Sequence, residues 1–225
     1  MNELSASFYL FVGLAVVAAI ALSLLLRDKD KTEPLPANST DPQAWELGPI
    51  YAGVNVSTGA NVYPTDGGWC IDIPLVGAGS VHYVTMPTGS LLGKTKVSLV
   101  CEFVMAPGVK LCPVKSPEAP SLLTLYFQRK GDNWSGVEQY QTYRWYASFA
   151  TEVDLSAGEY TIEARFDDNW TGVQNSSRAT HPEEFADALA NACRIGFVLG
   201  GGDGLGHGAS ATGDAKLIIK SFEVE

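Results

Sequence analysis

The sequence predicts an all-β fold: an antiparallel β-sandwich of about nine strands with one short helix, preceded by a single transmembrane helix. Three observations carry this. Runs such as Thr95–Met105 alternate apolar and polar residues with the period of two that marks a half-buried strand. Glycine (23) and aromatic residues (9 Phe, 9 Tyr, 5 Trp) are abundant while charge is sparse at 18%, which suits short strands and tight turns better than a helical bundle. Finally, Phe8–Leu26 reads FYLFVGLAVVAAIALSLLL, 19 residues without a charge or a proline.

A short tail, residues 1–7, precedes that run. At a rise of about 1.5 Å per residue, residues 8–26 just cover a hydrocarbon core of about 30 Å, so the lipid bilayer is the first expected partner. The run is apolar all round and adjoins a polar linker, unlike a helix buried in a core. The tail holds Glu3 and no Lys or Arg, and Ala19-Ile20-Ala21 lies inside the apolar run, so a retained anchor is expected rather than a cleaved leader. Gly13, Ala15, Ala18, Ala19 and Ala21 give this helix a small-residue side suited to close packing against other helices. Residues 27–44, RDKDKTEPLPANSTDPQA, form a linker with little to bury. Arg27, Lys29 and Lys31 follow the span and nothing basic precedes it, which favours a cytoplasmic domain. An even set of cysteines (Cys70, Cys101, Cys112, Cys193) and five N-x-S/T sequons (Asn38, Asn55, Asn133, Asn169, Asn175) lean the other way. The balance falls on a periplasmic or extracellular domain, with the cytoplasmic side left open.

The globular domain is expected over residues 45–225. In Thr95–Met105, Val97, Leu99, Cys101, Phe103 and Met105 share the inward face, opposite Lys96, Ser98 and Glu102. Ser121–Gln128 points Leu123, Leu125 and Phe127 inward, and Glu159–Phe166 does the same with Tyr160, Ile162, Ala164 and Phe166. Further strands are expected at Ile50–Val56, Trp69–Ile73, Val81–Met86, Tyr143–Phe149, Arg194–Leu199 and Lys216–Val224, several of them separated by glycine- or proline-bearing turns. Thr180-His181-Pro182-Glu183 reads as a capping box opening a helix through EEFADALANA, with Phe185, Leu189 and Ala192 on one stripe. Gly196–Gly213 contains eight glycines and is expected to be a long flexible loop.

A net charge of −10 argues against a nucleic-acid partner. The three histidines (His82, His181, His207) stand in no nucleophile motif, no paired-carboxylate string resembles a glycosidase strand, and no zinc or EF-hand spacing occurs. No catalytic residues, cofactor or metal are therefore expected.

Two features point to binding. Asp132-Asn133-Trp134-Ser135-Gly136-Val137 recurs as Asp168-Asn169-Trp170-Thr171-Gly172-Val173. Each copy puts a tryptophan among turn formers, either to stack on a sugar ring beside Asn133 and Asn169 or simply to close over the core edge. Between them, Tyr140, Tyr143, Arg144 and Tyr146 crowd one segment; on a strand, Tyr143 and Trp145 would share one face, Arg144 and Tyr146 the other. His207, in the glycine-rich stretch, completes the candidate ligand-binding set of Trp134, Trp170, Tyr140, Tyr143, Arg144, Asn133, Asn169 and His207.

The segments Leu125–Gly136 and Tyr143–Tyr146 and the closing strand Leu217–Glu225 resemble bacterial jelly-roll β-sandwich domains of the galactose-binding-like, carbohydrate-binding-module type. The resemblance covers most of residues 45–225 and implies a jelly-roll fold without naming a ligand. It places a membrane-anchored module for cell-envelope glycan first. The alternative is a non-catalytic accessory subunit of a larger membrane protein complex.

Overall fold

The computed structural model describes residues 40–147, 155–202 and 204–225. The expected span at 8–26, the tail, most of the linker, the end of the Tyr143–Phe149 strand and Asp203 lie outside the described residues. Among those described, no helix is long and apolar enough to cross a membrane.

Two five-stranded antiparallel sheets face each other. The first runs β1 (Glu46–Gly48), β6 (Tyr83–Pro87), β12 (Ala192–Gly201), β9 (Ser121–Arg129), β10 (Arg144–Tyr146). The second runs β11 (Gly158–Arg165), β7 (Lys96–Met105), β14 (Ala215–Val224), β5 (Gly68–Asp72), β4 (Val62–Thr65). Two short ribbons complete the fold: β8 (Leu111–Pro113) with β13 (Ala209–Ala211), and β2 (Ile50–Tyr51) with β3 (Val54–Asn55). The chain changes sheet at nearly every step, so neighbouring strands are mostly distant in sequence.

One core lies between the sheets. From β7 it takes Val97, Leu99, Cys101 and Phe103, from β14 Leu217, Ile219 and Phe222, and facing them Leu123, Leu125 and Phe127 of β9 and Ile195, Phe197 and Leu199 of β12. These are the alternate positions that strand periodicity assigns to one face, with a bulge after Ile219 shifting the phase so that Phe222 also points inward. Trp45 joins the two layers, its ring centroid 5.9 Å from Phe197 on one sheet and 5.1 Å from both Trp69 and Phe222 on the other. Helix α1 (Pro182–Ala190) packs through Phe185, which meets Trp145 edge-on at 4.8 Å and Phe127 at 5.6 Å.

The outer faces of the two sheets differ in kind. On the second, Lys96 pairs with Glu163, and Lys220 with Glu102 and Glu159, all partly or fully in solvent. On the first, β9 is buried from Leu123 to Gln128 and β12 from Ile195 to Gly201, outward positions included. Loops must therefore cover that side.

Several expectations need correction. The Ile50–Val56 segment is an exposed hairpin, not a sandwich strand, because its apolar side chains find no facing layer. The segment expected as a long flexible loop is largely strand, since β12 continues to Gly201 and β13 begins at Ala209. Gly196, Gly200 and Gly201 belong to β12, where a Cβ on Gly196 would fall 2.1 Å from Val84 O of the neighbouring strand. The capping box does not form, since Thr180 Oγ1 accepts from Ser177 N at 3.0 Å and the helix starts after His181, which makes no side-chain cap bond. Ala192 opens β12 and does not extend the helix, and Tyr160 is only half-buried. The short strands β1, β4, β8 and β13 carry too little alternation to be read from sequence.

Replacing Trp45 by Ala is predicted to cost about 3–5 kcal/mol, the usual range for a large aromatic lost from a core, since both sheets lose a contact at once. Denaturant unfolding followed by the remaining tryptophans measures it; a cost below about 1 kcal/mol would mean that Trp45 does not join the layers.

Candidate functional site on the outer face of the first sheet

Strand alternation turns Tyr83 (β6), Tyr126 (β9), Tyr146 (β10) and Val198 (β12) away from the main core, and they form a second buried cluster of their own. Tyr126 meets Tyr83 edge-on at 4.9 Å and Tyr146 at 5.2 Å, while the Tyr83 and Tyr146 hydroxyls share a hydrogen bond of 2.8 Å. Burial raises all three phenol pKa values above their ordinary value, so the cluster is neutral.

Three loop segments roof this cluster. The first, Gly131–Val137, is fixed by Asp132. Its Oδ1 accepts from Trp134 N at 3.0 Å, and its Oδ2 accepts from Gln128 Nε2 at 2.9 Å. The second segment pairs with β10, as Tyr146 N donates to Thr171 O at 2.8 Å and Thr171 N to Tyr146 O at 3.0 Å. The third, Gly204–Gly208, lies directly on the rings. A Cβ on Gly206 (φ +72°) would stand 2.5 Å from the Tyr83 hydroxyl, and one on Gly208 (φ +85°) 2.5 Å from the His82 ring. Only glycine combines that backbone with that approach.

Arg144 is the charge at the centre. Its side chain is 10% exposed and its Nε lies 3.0 Å from Asp132 Oδ2, whose side chain is 1% exposed. The contact has ion-pair distance without hydrogen-bond alignment at Nε. Burial works against the guanidinium charge, yet the Tyr146 and Asp132 oxygens keep its pKa above the ordinary value. The guanidinium sits 5.0 Å from the Trp134 ring centroid, and Tyr83 meets the same ring edge-on at 5.2 Å. Trp134 itself is half-buried, with φ at +66°, a backbone state that non-glycine residues hold only when surroundings enforce it.

Two open recesses lie on this face, and the Trp134 loop borders the first of them. One, of about 270 Å³, is lined by Glu46, Tyr83, Thr85, Gln128, Asp132, Trp134 and Arg194 among others. The other, of about 510 Å³, is bounded by Tyr83, Arg144, Tyr146, the Thr171–Ser177 segment, Leu205 and His207. Tyr83 contributes to both.

The expected site residues therefore separate. Trp134, Arg144 and His207 gather on this face. Trp170 does not: it is fully buried, stacked on Phe166 at 5.6 Å and 15°, with its indole N–H donated to Arg165 O, so it has no ring face to offer. The tryptophans of the two copies thus serve opposite sides of the sheet, while Thr171–Val173 of the second copy join the first copy in the roof. Tyr143 precedes β10 rather than lying in it and meets Tyr140 edge-on at 5.0 Å, beneath the Arg129 guanidinium at 4.4 Å, and neither tyrosine lines a recess. Asn133 and Asn169 are exposed, and their side-chain oxygens accept from Ser135 N and Ala179 N, holding turns. The expected face split at Arg144/Tyr146 against Trp145 is found, but Arg144 and Tyr146 are covered rather than open. Sequence reasoning missed Tyr83, Tyr126 and Asp132. A signal was present in Leu122, Thr124 and Tyr126, three outward positions on β9 without the charges found at the outward positions of β7.

Cys70, Cys101, Cys112 and Cys193 are all free thiols, with the Cys101 pKa pushed up to about 12 chiefly by burial. Among the described residues, no three His, Cys, Asp or Glu side chains converge as metal ligands. No family model, curated protein or solved structure matches this chain, so the functional reading rests on the site itself.

Two predictions follow from these charges. Arg144→Met leaves the Asp132 carboxylate buried without its counter-charge and should cost about 3–5 kcal/mol. Adding Asp132→Asn, which keeps an acceptor for Trp134 N, should recover a clear part of that loss in denaturant unfolding; strict additivity would refute the coupling. His82 is held below the ordinary imidazole pKa by burial, against the opposing effect of its Gly206 O contact at 3.2 Å, with His207 nearby adding to the lowering. Its contribution to stability is present above the unfolded-state value of about 6.5 and is lost as pH falls from there towards the folded-state value. His82→Gln should flatten stability against pH in that window, whereas an unchanged slope would assign it to other groups.

Proposed function

We propose that this chain is a non-catalytic, membrane-anchored binding module of jelly-roll type that takes a cell-envelope glycan on the outer face of the first sheet. The observation that carries the reading is Trp134, a half-buried indole fixed by its own turn that lines a polar-walled recess. A pyranose ring presents an apolar C–H face and a rim of hydroxyls. An indole held rigidly, with the Arg144 guanidinium against one face and Gln128 and Tyr83 lining the adjoining recess, is complementary to both.

The strand order supports the jelly-roll assignment. Taking β5, β6, β7, β9, β10, β11, β12 and β14 as the eight main strands, one sheet reads first, eighth, third, sixth and the other second, seventh, fourth, fifth. This is the order of two interlocked Greek keys. The anchor rests on the apolar run at residues 8–26.

The chemistry of the described residues supports binding over catalysis. Ser80 Oγ does lie 2.9 Å from His82 Nε2, but the other ring nitrogen faces the Gly206 carbonyl and no carboxylate orients the pair. Such an arrangement pins the glycine loop to β6. It lacks the third member that a serine nucleophile uses.

Full-length protein in mild detergent, applied to immobilised cell-envelope and extracellular oligosaccharides, tests the reading. Trp134→Ala should weaken retention at least about tenfold, equal to about 1.4 kcal/mol, whereas Trp170→Phe should leave it unchanged. Absence of retention on every glycan, or retention indifferent to Trp134→Ala, would reject the proposal.

A further inference from the structure

The β2–β3 hairpin plays no part in the core or in the roof over the tyrosine cluster; only Ile50, at its base, borders the smaller recess. Ile50, Tyr51 and Val54 are 63%, 54% and 64% exposed, among the most exposed large apolar side chains of the described domain. Ala52 and Gly53 turn the tip with φ of 49° and 80°, a tight two-residue connection.

A polar base holds this tip outward. Asn55 Nδ2 donates to Leu47 O at 2.9 Å, Ser57 Oγ donates to Gly48 O at 2.6 Å, and Val56 N donates to Pro49 O at 3.0 Å. Asn55 Oδ1 accepts from Ser57 N at 2.9 Å, and Ser57 Oγ accepts from His82 N at 2.9 Å. These bonds tie the hairpin to β1 and β6, so its apolar residues stay presented to the outside.

Charge is missing from the same stretch. Gly48–Thr65 contains no Asp, Glu, Lys or Arg, in a chain whose net charge is −10. A protein partner chosen by charge would find nothing here to recognise. A bilayer interface, by contrast, accepts uncharged backbone turns, aliphatic side chains and a tyrosine at headgroup depth.

Chain length places the bilayer within reach. Residues 27–44 span at most about 60 Å when extended, and the hairpin begins five residues after Trp45. For a tethered domain, contact of this tip with lipid is an intramolecular event at high effective concentration.

We propose that the Ile50–Val54 hairpin is a membrane contact that dips into the headgroup region and sets the tilt of the domain on the bilayer. The proposal rests on the anchored reading of residues 8–26 and adds a second lipid contact to it.

Tyr51→Trp in the full-length chain, reconstituted into phosphatidylcholine vesicles with and without bromine-labelled acyl chains, tests it. The emission added by the new tryptophan should be quenched by bromolipid. The quenching should disappear when Ile50→Ser and Val54→Ser are also present. Unquenched emission that remains open to aqueous acrylamide would overturn the proposal by placing the tip in water. Emission shielded from both quenchers would overturn it in favour of a protein surface over the hairpin. Carbonate washing of the same vesicles separates the two readings. Protein that stays with the vesicles with an unquenched tip refutes the hairpin contact alone. Protein that washes off refutes the anchor, and with it the proposal.

Discussion

The constraint on which this structure depends is that the first sheet is buried on both faces. A strand sends alternate side chains to opposite sides, so a sheet with one core ordinarily needs only one apolar set. Here β9 supplies Leu123, Leu125 and Phe127 to the sandwich core and Tyr126 to the opposite side, where Tyr83, Tyr146 and Val198 join it. Rings placed there demand cover. The Gly131–Val137 loop, the Thr171–Ser177 segment and the glycine stretch after β12 provide it, and each has a composition set by that task. Glycine appears where main chain lies against the Tyr83 and His82 rings. Asp132 appears where a turn must be fixed above Arg144.

The charge distribution follows the same division. The second sheet carries ion pairs on its solvent side, where such pairs contribute little to stability and keep the face soluble. On the first sheet the Asp132–Arg144 pair sits beneath a loop. Removing either partner there leaves an expensive lone charge, while keeping both fixes one arrangement of the loop. A guanidinium already engaged by Asp132 is also poised under the Trp134 ring. The half-open indole is therefore a product of the roof and its buried charge rather than a loosely placed surface residue.

Much of this could be read from the sequence. Strict alternation in Thr95–Met105, Ser121–Gln128 and Glu159–Phe166 located the central strands β7 and β9 and the edge strand β11 with their inward faces, and Pro182 marked the helix start. Short edge strands escaped because two to four residues carry no period. The twin hexapeptides misled for a different reason. Local sequence specifies a turn around each tryptophan, but which side of the sheet the indole faces depends on partners that are settled far away in sequence. Trp170 found Phe166, Phe127 and Phe185 beside it and went into the core; Trp134 found Tyr83 and Arg144 and remained half open. The second core was legible in principle from the uncharged outward positions of β9. It was passed over because periodicity arguments look for one apolar face, not two.

The central claim is that Trp134, alone among the five tryptophans, faces a ligand while the other four serve packing. Fluorine NMR of the full-length chain labelled with 5-fluorotryptophan tests it most directly, since each indole gives its own resonance and single replacements assign them. Titration with cell-envelope oligosaccharides should shift or broaden the Trp134 signal and leave those of Trp45, Trp69, Trp145 and Trp170 in place. A Trp134 signal that stays fixed while a core signal moves, or five signals indifferent to every oligosaccharide, would contradict the account.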